Sequence, residues 1–248
     1  MSLTTNKDDK TAEKIAVSTN ENYYLINDEN GIKKMNGNNI LPYFEIKKNK
    51  NKNKVFHSFF SGSTGSGKSY LARKIIEQIK PDLVFVFSSL DDGDFDNITG
   101  VKSVKVDLIK IMDENKLDIN GIYDLIPNGS ICIFDDILSF GLKLSKPYIE
   151  LRLMLLQKGR HKQVTVVVIE QMALSGNAKG SREVLLNCQY FFCFPRSNFN
   201  SFEKLSKIYL GLTKQQIAYL RKLDSRYVMI NKAYPSYYVS SKEVGIFS

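Results

Sequence analysis

The chain has 248 residues, 43% hydrophobic and 25% charged, which suits a soluble globular protein with one large domain or a domain with appendages. Lys and Arg outnumber Asp and Glu by 35 to 26, and the net charge of +9 favours polyanionic partners, although solubility alone accounts for the same excess. Cys132, Cys188 and Cys193 sit in apolar runs without C-x-x-C spacing, and histidine is scarce. This excludes a zinc site and reads as buried thiols in a reducing compartment. No apolar run reaches the length of a membrane span, and the polar stretch Met1 to Lys14 has no apolar core, so no signal peptide is expected.

Residues 1–20 are Thr, Asn, Lys and Asp with few apolar residues, and are expected to form a disordered or loosely attached tail. Tyr23 to Ile26 and Ile32 to Met35 flank Asn30-Gly31 and predict a β-hairpin. Ile40 to Ile46 is a further short strand. Lys47 to Lys54 carries five lysines and no acid. It reads as a solvated loop, or as one that touches a phosphate backbone.

The stretch the chain is built around follows the apolar run Val55 to Phe60. Gly62-Ser63-Thr64-Gly65-Ser66-Gly67-Lys68-Ser69 matches the P-loop pattern G-x-x-x-x-G-K-[ST] in full. Tyr70 comes next, and Leu71, Ala72, Ile75, Ile76 and Ile79 then recur at helical spacing up to Pro81. Strand, glycine-rich loop and helix are the context that phosphate binding needs. Glycines let successive amides turn inward, and the helix N-terminus adds partial positive charge. Lys68 reaches the β- and γ-phosphates, and the Ser69 hydroxyl suits Mg²⁺.

Leu83 to Phe87 is a continuous apolar run, as in a parallel strand buried on both faces. Val101 to Val106 predicts an edge strand, and Leu108 to Ile126 one or two helices. Asn115-Lys116-Leu117-Asp118 matches the base-reading N-K-x-D of GTPases. It precedes the acidic strand end and lacks a buried strand before it, so it is read as chance. Ser130 to Asp136 is a buried strand ending in two carboxylates, the Walker B pattern. Asp135 would hold Mg²⁺, directly or through water, and Asp136 would polarise the attacking water. A helix cap is the bland alternative. Tyr148 to Leu156 is helical and ends at Gly159-Arg160-His161-Lys162. Val164 to Ile169 is a third buried strand, closed by Glu170-Gln171. Ser181 to Leu186 predicts a short helix, Tyr190 to Phe194 a strand, Phe202 to Leu210 and Thr213 to Leu223 amphipathic helices, and Arg226 to Asn231 with Tyr237 to Ser240 a final hairpin. Alternating strands and helices imply an α/β fold with a mainly parallel sheet, helices on both faces and small hairpins at both ends. The P-loop, Asp135-Asp136 and Gln171 all fall at carboxyl strand ends, where such folds bind ligands.

The strand after Walker B resembles that of P-loop ATPases with an additional strand between the P-loop and Walker B strands, where a polar residue at its tip senses the γ-phosphate. Gln171 stands there; an ordinary strand-end glutamine is the alternative. The order P-loop, Asp135-Asp136, helix, Gly159-Arg160-His161, apolar strand, Gln171 resembles the FtsK/HerA superfamily of RecA-like ATPases. It looks most like the viral branch, the genome-packaging ATPases of poxviruses, giant viruses and their virophages. Arg226 to Ile230 with Tyr234-Pro235 also looks like that branch, and the resemblance covers residues 55–240. The expected organisation is a tail over 1–20, a hairpin extension and basic loop over 21–54, and an ATPase domain with C-terminal helices and hairpin over 55–248. The resemblance covers the last of these. It implies ATP and Mg²⁺ as cofactors, and Arg160 as an arginine finger acting on a neighbouring subunit. A cation beside a helix end is the alternative for Arg160.

The same resemblance implies a ring of five or six copies and sequence-independent contact with double-stranded DNA, with Lys48, Lys50, Lys52 and Lys54 or the Lys143/Lys146 loop lining the bore. It further implies a capsid vertex partner, and a location in the host cytoplasm, the viral factory or the capsid. One departure stands out: many members have Asp-Glu where this chain has Asp135-Asp136. An Arg-rich lid, expected of a small-molecule kinase, is missing. Glu203, Asp224 and Glu243 are too scattered for a nuclease site. The rival reading is a nucleotide-dependent switch or scaffold that does not move DNA.

Overall fold

The computed structural model describes residues 1–7, 12–44, 55–89, 93–171 and 181–247. The chain divides into two units: Met1–Phe44 with Ser61–Ser66 and Gln189–Ser248, and Glu45–Phe60 with Gly67–Cys188. Residues 1–44 thus share a unit with the C-terminal sixty, instead of standing apart as a tail and an extension.

The first unit begins with β1 (Ser2–Thr4), β2 (Glu13–Val17), β3 (Asn22–Ile26), β4 (Lys34–Asn36) and β5 (Leu41–Pro42). Four of these form an antiparallel sheet in the order β1-β3-β2-β5. The described part of the expected tail therefore contains two strands, Ser2–Thr4 and Glu13–Val17. Leu3, Ile15 and Ala16 are buried, and apolar burial of these few residues holds the segment. The expected hairpin at Asn30-Gly31 does not form either. Strand β3 is paired on both edges, by β1 and β2, so Ile32 to Met35 has no edge to join there.

The second unit carries β6 (Ser58–Ser61) as far as Phe60, with β7 (Leu83–Ser88), β8 (Lys102–Lys105), β9 (Ile131–Asp135) and β10 (Thr165–Glu170), in the order β6-β10-β9-β7-β8. The pairs β10–β9, β9–β7 and β7–β8 are parallel, with Val168 opposite Phe134 and Phe87 opposite Phe134. The additional strand β10 lies between the P-loop strand and the Walker B strand. Every residue of β9 and β10 is buried, as expected of strands covered on both faces. Its helices are α1 (Lys68–Ile79), α2 (Leu108–Asn115), α3 (Ile119–Leu125), α4 (Leu142–Lys158) and α5 (Ser181–Asn187). Helices α1 and α4 pack on β10. Asp118 caps α3 by accepting from the Gly121 amide at 2.8 Å, and Lys116 ends α2 in a left-handed conformation. The GTPase-like N-K-x-D is thus a junction between two helices, built from cap residues.

The first unit closes with β11 (Tyr190–Cys193), α6 (Phe199–Tyr209), α7 (Lys214–Lys222), β12 (Val228–Asn231), β13 (Tyr237–Ser240) and β14 (Glu243–Ile246). The expected final hairpin is β12–β13. It is extended by β11 on one side and β14 on the other, and β14 pairs with β4. That last pairing is where Ile32 to Met35 goes. Cys132, Cys188 and Cys193 are buried free thiols, and burial pushes the Cys193 thiol up to about 12.

Candidate nucleotide site

The loop after β6 is shaped by its backbone. Gly65 and Gly67 have φ of 74° and 96°, values that a side chain would strain. The Ser66 amide donates to the Ser63 carbonyl at 3.2 Å, which closes the turn. A Cβ on Gly62 would lie 2.7 Å from Ser66 Oγ, so this position has no room for a side chain. The Ser66 hydroxyl is buried and has no hydrogen-bond partner, an orphan that a phosphate oxygen would satisfy. Gly67 then caps α1 without a side-chain bond, and the first turn of α1 holds no acid. An anion suits such a helix start.

Within the second unit, the first residues of α1 meet the end of β9. Lys68 is 9% exposed. Burial lowers its ammonium pKa, and the charges of Asp135 and Asp136 act in the opposite direction. The Ser69 hydroxyl donates to Asp135 Oδ2 at 3.4 Å. Asp135 is the last residue of β9 and is buried. A hydroxyl and a carboxylate side by side are the hard oxygen donors that Mg²⁺ prefers, so Ser69 and Asp135 fit that ion. Bound there beside a nucleotide, it would neutralise charge on the transferring phosphate.

Asp136 is held from four directions. Its amide donates to the Ile169 carbonyl at 3.0 Å, its carbonyl accepts from the Ser139 hydroxyl at 2.7 Å and from the Ser89 hydroxyl at 3.3 Å, and its Oδ2 accepts from Gln171 Nε2 at 3.0 Å. Its φ is 46°, in the left-handed region, where Asp is more at ease than most residues. The proposed base and the proposed sensor thus meet directly, through neighbouring strands β9 and β10.

The other expected site residues lie elsewhere. Tyr70 is 66% exposed on α1, and the Lys74 ammonium stands 5.8 Å from its ring centroid. Arg160 lies in a 3₁₀ turn over Gly159–Lys162, before the first residue of β10, so it stands at the amino end of the strand whose other end carries Gln171. That is about 17 Å of strand. Burial lowers the pKa of His57, and the nearby Arg160 charge lowers it further, to about 4. Lys143 and Lys146 are not in a loop. They are exposed on the first turns of α4, with Lys146 3.9 Å from Glu150. Lys48, Lys50, Lys52 and Lys54 lie outside the described residues.

Sequence reasoning places Glu170 only at a strand end and gives Arg152 no role. Arg152 is fully buried on α4, Glu170 is 3% exposed at the end of β10, and Arg152 Nη1 donates to Glu170 Oε1 at 2.6 Å. The signal was there: Tyr148, Leu151, Arg152, Leu155 and Leu156 share one helical stripe, and all five are buried.

No protein-family model matches the chain. The uncharacterized protein V3 of Sputnik virophage is 30% identical over 183 residues, 71% of each chain. Among solved structures, the pCW3 conjugation coupling protein TcpA, in its monomer form with ATPγS, superposes with a TM-score of 0.52 and 13% identity over 97% of this chain and 67% of that one. The genome packaging NTPase B204 of Sulfolobus turreted icosahedral virus 2, in complex with AMP, gives 0.47 and 14% over 79% of this chain and 98% of its own. With its additional-strand P-loop sheet and its kinship to V3, the chain has the fold of the RecA-like P-loop ATPases and belongs to one family with that virophage protein.

Proposed function

We propose that the protein is a Mg²⁺-dependent ATPase that drives double-stranded DNA into a viral capsid. The observation that carries the ATPase reading is the meeting of Lys68, Ser69, Asp135, Asp136 and Gln171 at the carboxyl ends of parallel strands. Lys68 and the loop amides bind and orient the phosphates. Asp136 aligns the attacking water, and Gln171, hydrogen-bonded to it, reports the state of the γ-phosphate.

The translocation reading rests on the resemblance of the motif order to the packaging ATPases and on the +9 charge. A motor that moves along any sequence contacts phosphates and not base edges. Exposed Lys143 and Lys146 on α4, and Lys48, Lys50, Lys52 and Lys54, are the cations assigned to that contact. Five or six copies form the ring, with Arg160 of one subunit acting at the nucleotide of the next. A capsid vertex protein is the docking partner, in the cytoplasm or viral factory of the infected cell. No helix among the described residues is long and apolar enough to cross a membrane.

The test measures ATP turnover by the full chain in Mg²⁺, with and without long duplex DNA of unrelated sequences, over a salt series. Turnover is expected, with stimulation by any duplex that fades steeply as salt rises. Hydrolysis without DNA stimulation rejects translocation in favour of the nucleotide switch; no hydrolysis rejects the ATPase reading itself.

A further inference from the structure

The buried pair Arg152–Glu170 is an odd device for stability. Taking two charges out of water is costly, and the gain offsets that cost only when the remaining polar atoms are also satisfied. Here they are not: Arg152 Nε, Arg152 Nη2 and Glu170 Oε2 are buried without hydrogen-bond partners. Leaving them so is destabilising, and apolar residues of similar size would fill the space at less expense.

Its position in the chain suggests what it does. Glu170 stands between the two residues of β10's tip that hold Asp136. On one side, the Ile169 carbonyl accepts from the Asp136 amide at 3.0 Å. On the other, Gln171 donates to the Asp136 carboxylate at 3.0 Å. Arg152 comes from α4, which begins six residues after Asp136, beyond a 3₁₀ turn over Ile137–Phe140. The connection closes on itself: Asp136, the turn, α4, Arg152, Glu170, Gln171, and back to Asp136. Among the described residues, Arg152 is the partner that fixes the Glu170 side chain.

We infer that Arg152 and Glu170 are positioning residues that lock the tip of β10 to α4 and so hold Gln171 and Asp136 in register for hydrolysis. The pair touches no reacting atom. It acts through the backbone on either side of Glu170. This rests on the ATPase reading above, and one experiment keeps the two apart.

The double variant Arg152→Met/Glu170→Met removes both charges together and leaves neither one unpaired. Melting temperature, ATP affinity, kcat and KM are measured beside the native chain. A pair that serves stability predicts a lower melting temperature and native kcat. A positioning pair predicts an equal or higher melting temperature, ATP affinity within about threefold, and kcat lower by about tenfold or more. If the double variant does not fold, Glu170→Gln is measured instead, since its amide oxygen still accepts from Arg152. It should keep native ATP affinity and lose several-fold in kcat. Native kcat in a folded double variant overturns the inference while leaving the ATPase reading intact, as does native kcat in Glu170→Gln. A native chain that does not hydrolyse ATP removes the ATPase reading and this inference with it.

Discussion

The two ends of β10 are built from the same kind of strand and behave oppositely. At the amino end the stitching is neutral. The Phe56 amide donates to Thr165 Oγ1 at 3.4 Å, and the Val166 amide donates to His57 Nδ1 at 3.1 Å. That bond leaves the proton on His57 Nε2, which is buried without a partner. The charged group nearby, Arg160, is exposed. At the carboxyl end a charged pair is inside: Glu170 meets Arg152 in the core, and beside it half-buried Asp136 is gathered by Gln171 and the Ile169 carbonyl. One end keeps charge out and fixes the fold. The other takes charge in and tolerates unsatisfied atoms, as sites of chemistry do.

That contrast can be broken most severely at the carboxyl end. Lys68→Ala should leave no measurable turnover and weaken ATP binding, because a charge-assisted contact to the phosphates is lost; native-like hydrolysis by this variant would remove the P-loop from the mechanism. Asp136→Asn keeps the shape and the left-handed backbone, and should lower kcat by about 10³-fold with ATP affinity nearly unchanged. Turnover close to native would move the role of base to another acid. Glu170 is an unattractive substitute, since Arg152 already engages it.

The amino end gives smaller effects. Arg160→Ala should bind ATP normally and hydrolyse it about 10²-fold more slowly, below the range measured for GTPase fingers. The position of Arg160 before β10 puts it far from its own Gln171, so the finger reading requires its effect to cross between subunits. Mixing Arg160→Ala with Lys68→Ala should therefore restore activity at interfaces with both halves intact. If mixing restores nothing, the finger assignment fails.

His57 sharpens the comparison through pH. Its folded pKa, about 4, lies below the unfolded value near 6.5, so between these values the unfolded chain binds more protons. Stability from keeping His57 neutral is present above pH 6.5 and is lost as pH falls toward 4. Thermal melts of the native chain should drop between pH 6.5 and 4.5 more than those of His57→Asn, by roughly 2 kcal/mol. Parallel curves would show that His57 carries no such linkage.

What was legible in the sequence was whatever is local. The P-loop, the carboxylates at the end of β9 and Gln171 after β10 come with runs whose own composition marks them as buried strands. What was hidden depends on partners far away in the chain. Leu3 opposite Leu25 and Lys34 opposite Gly245 are pairings that no local pattern announces. Asn30-Gly31 carried a true turn signal, with the Asn30 amide on Asp28 Oδ1 at 3.0 Å, but the strands on either side belong to different sheets. Arg152 was hidden for another reason. A basic residue on a helix is by default a surface residue, and only its place in an apolar stripe spoke against that.

The left-handed backbone of Asp136 bears on the one departure from the pattern of the ATPases that the motif order resembles. At φ of 46° a short side chain that can hydrogen-bond locally is favoured, and Asp is among the few non-glycine residues that visit this region readily. Glutamate, with a longer arm and no such preference, would add backbone cost and reach past the Gln171 amide. The second acid of this Walker B pair is therefore spelled by the turn beneath it as much as by the chemistry above it. Searches keyed to Asp-Glu will pass over relatives whose chain makes the same turn.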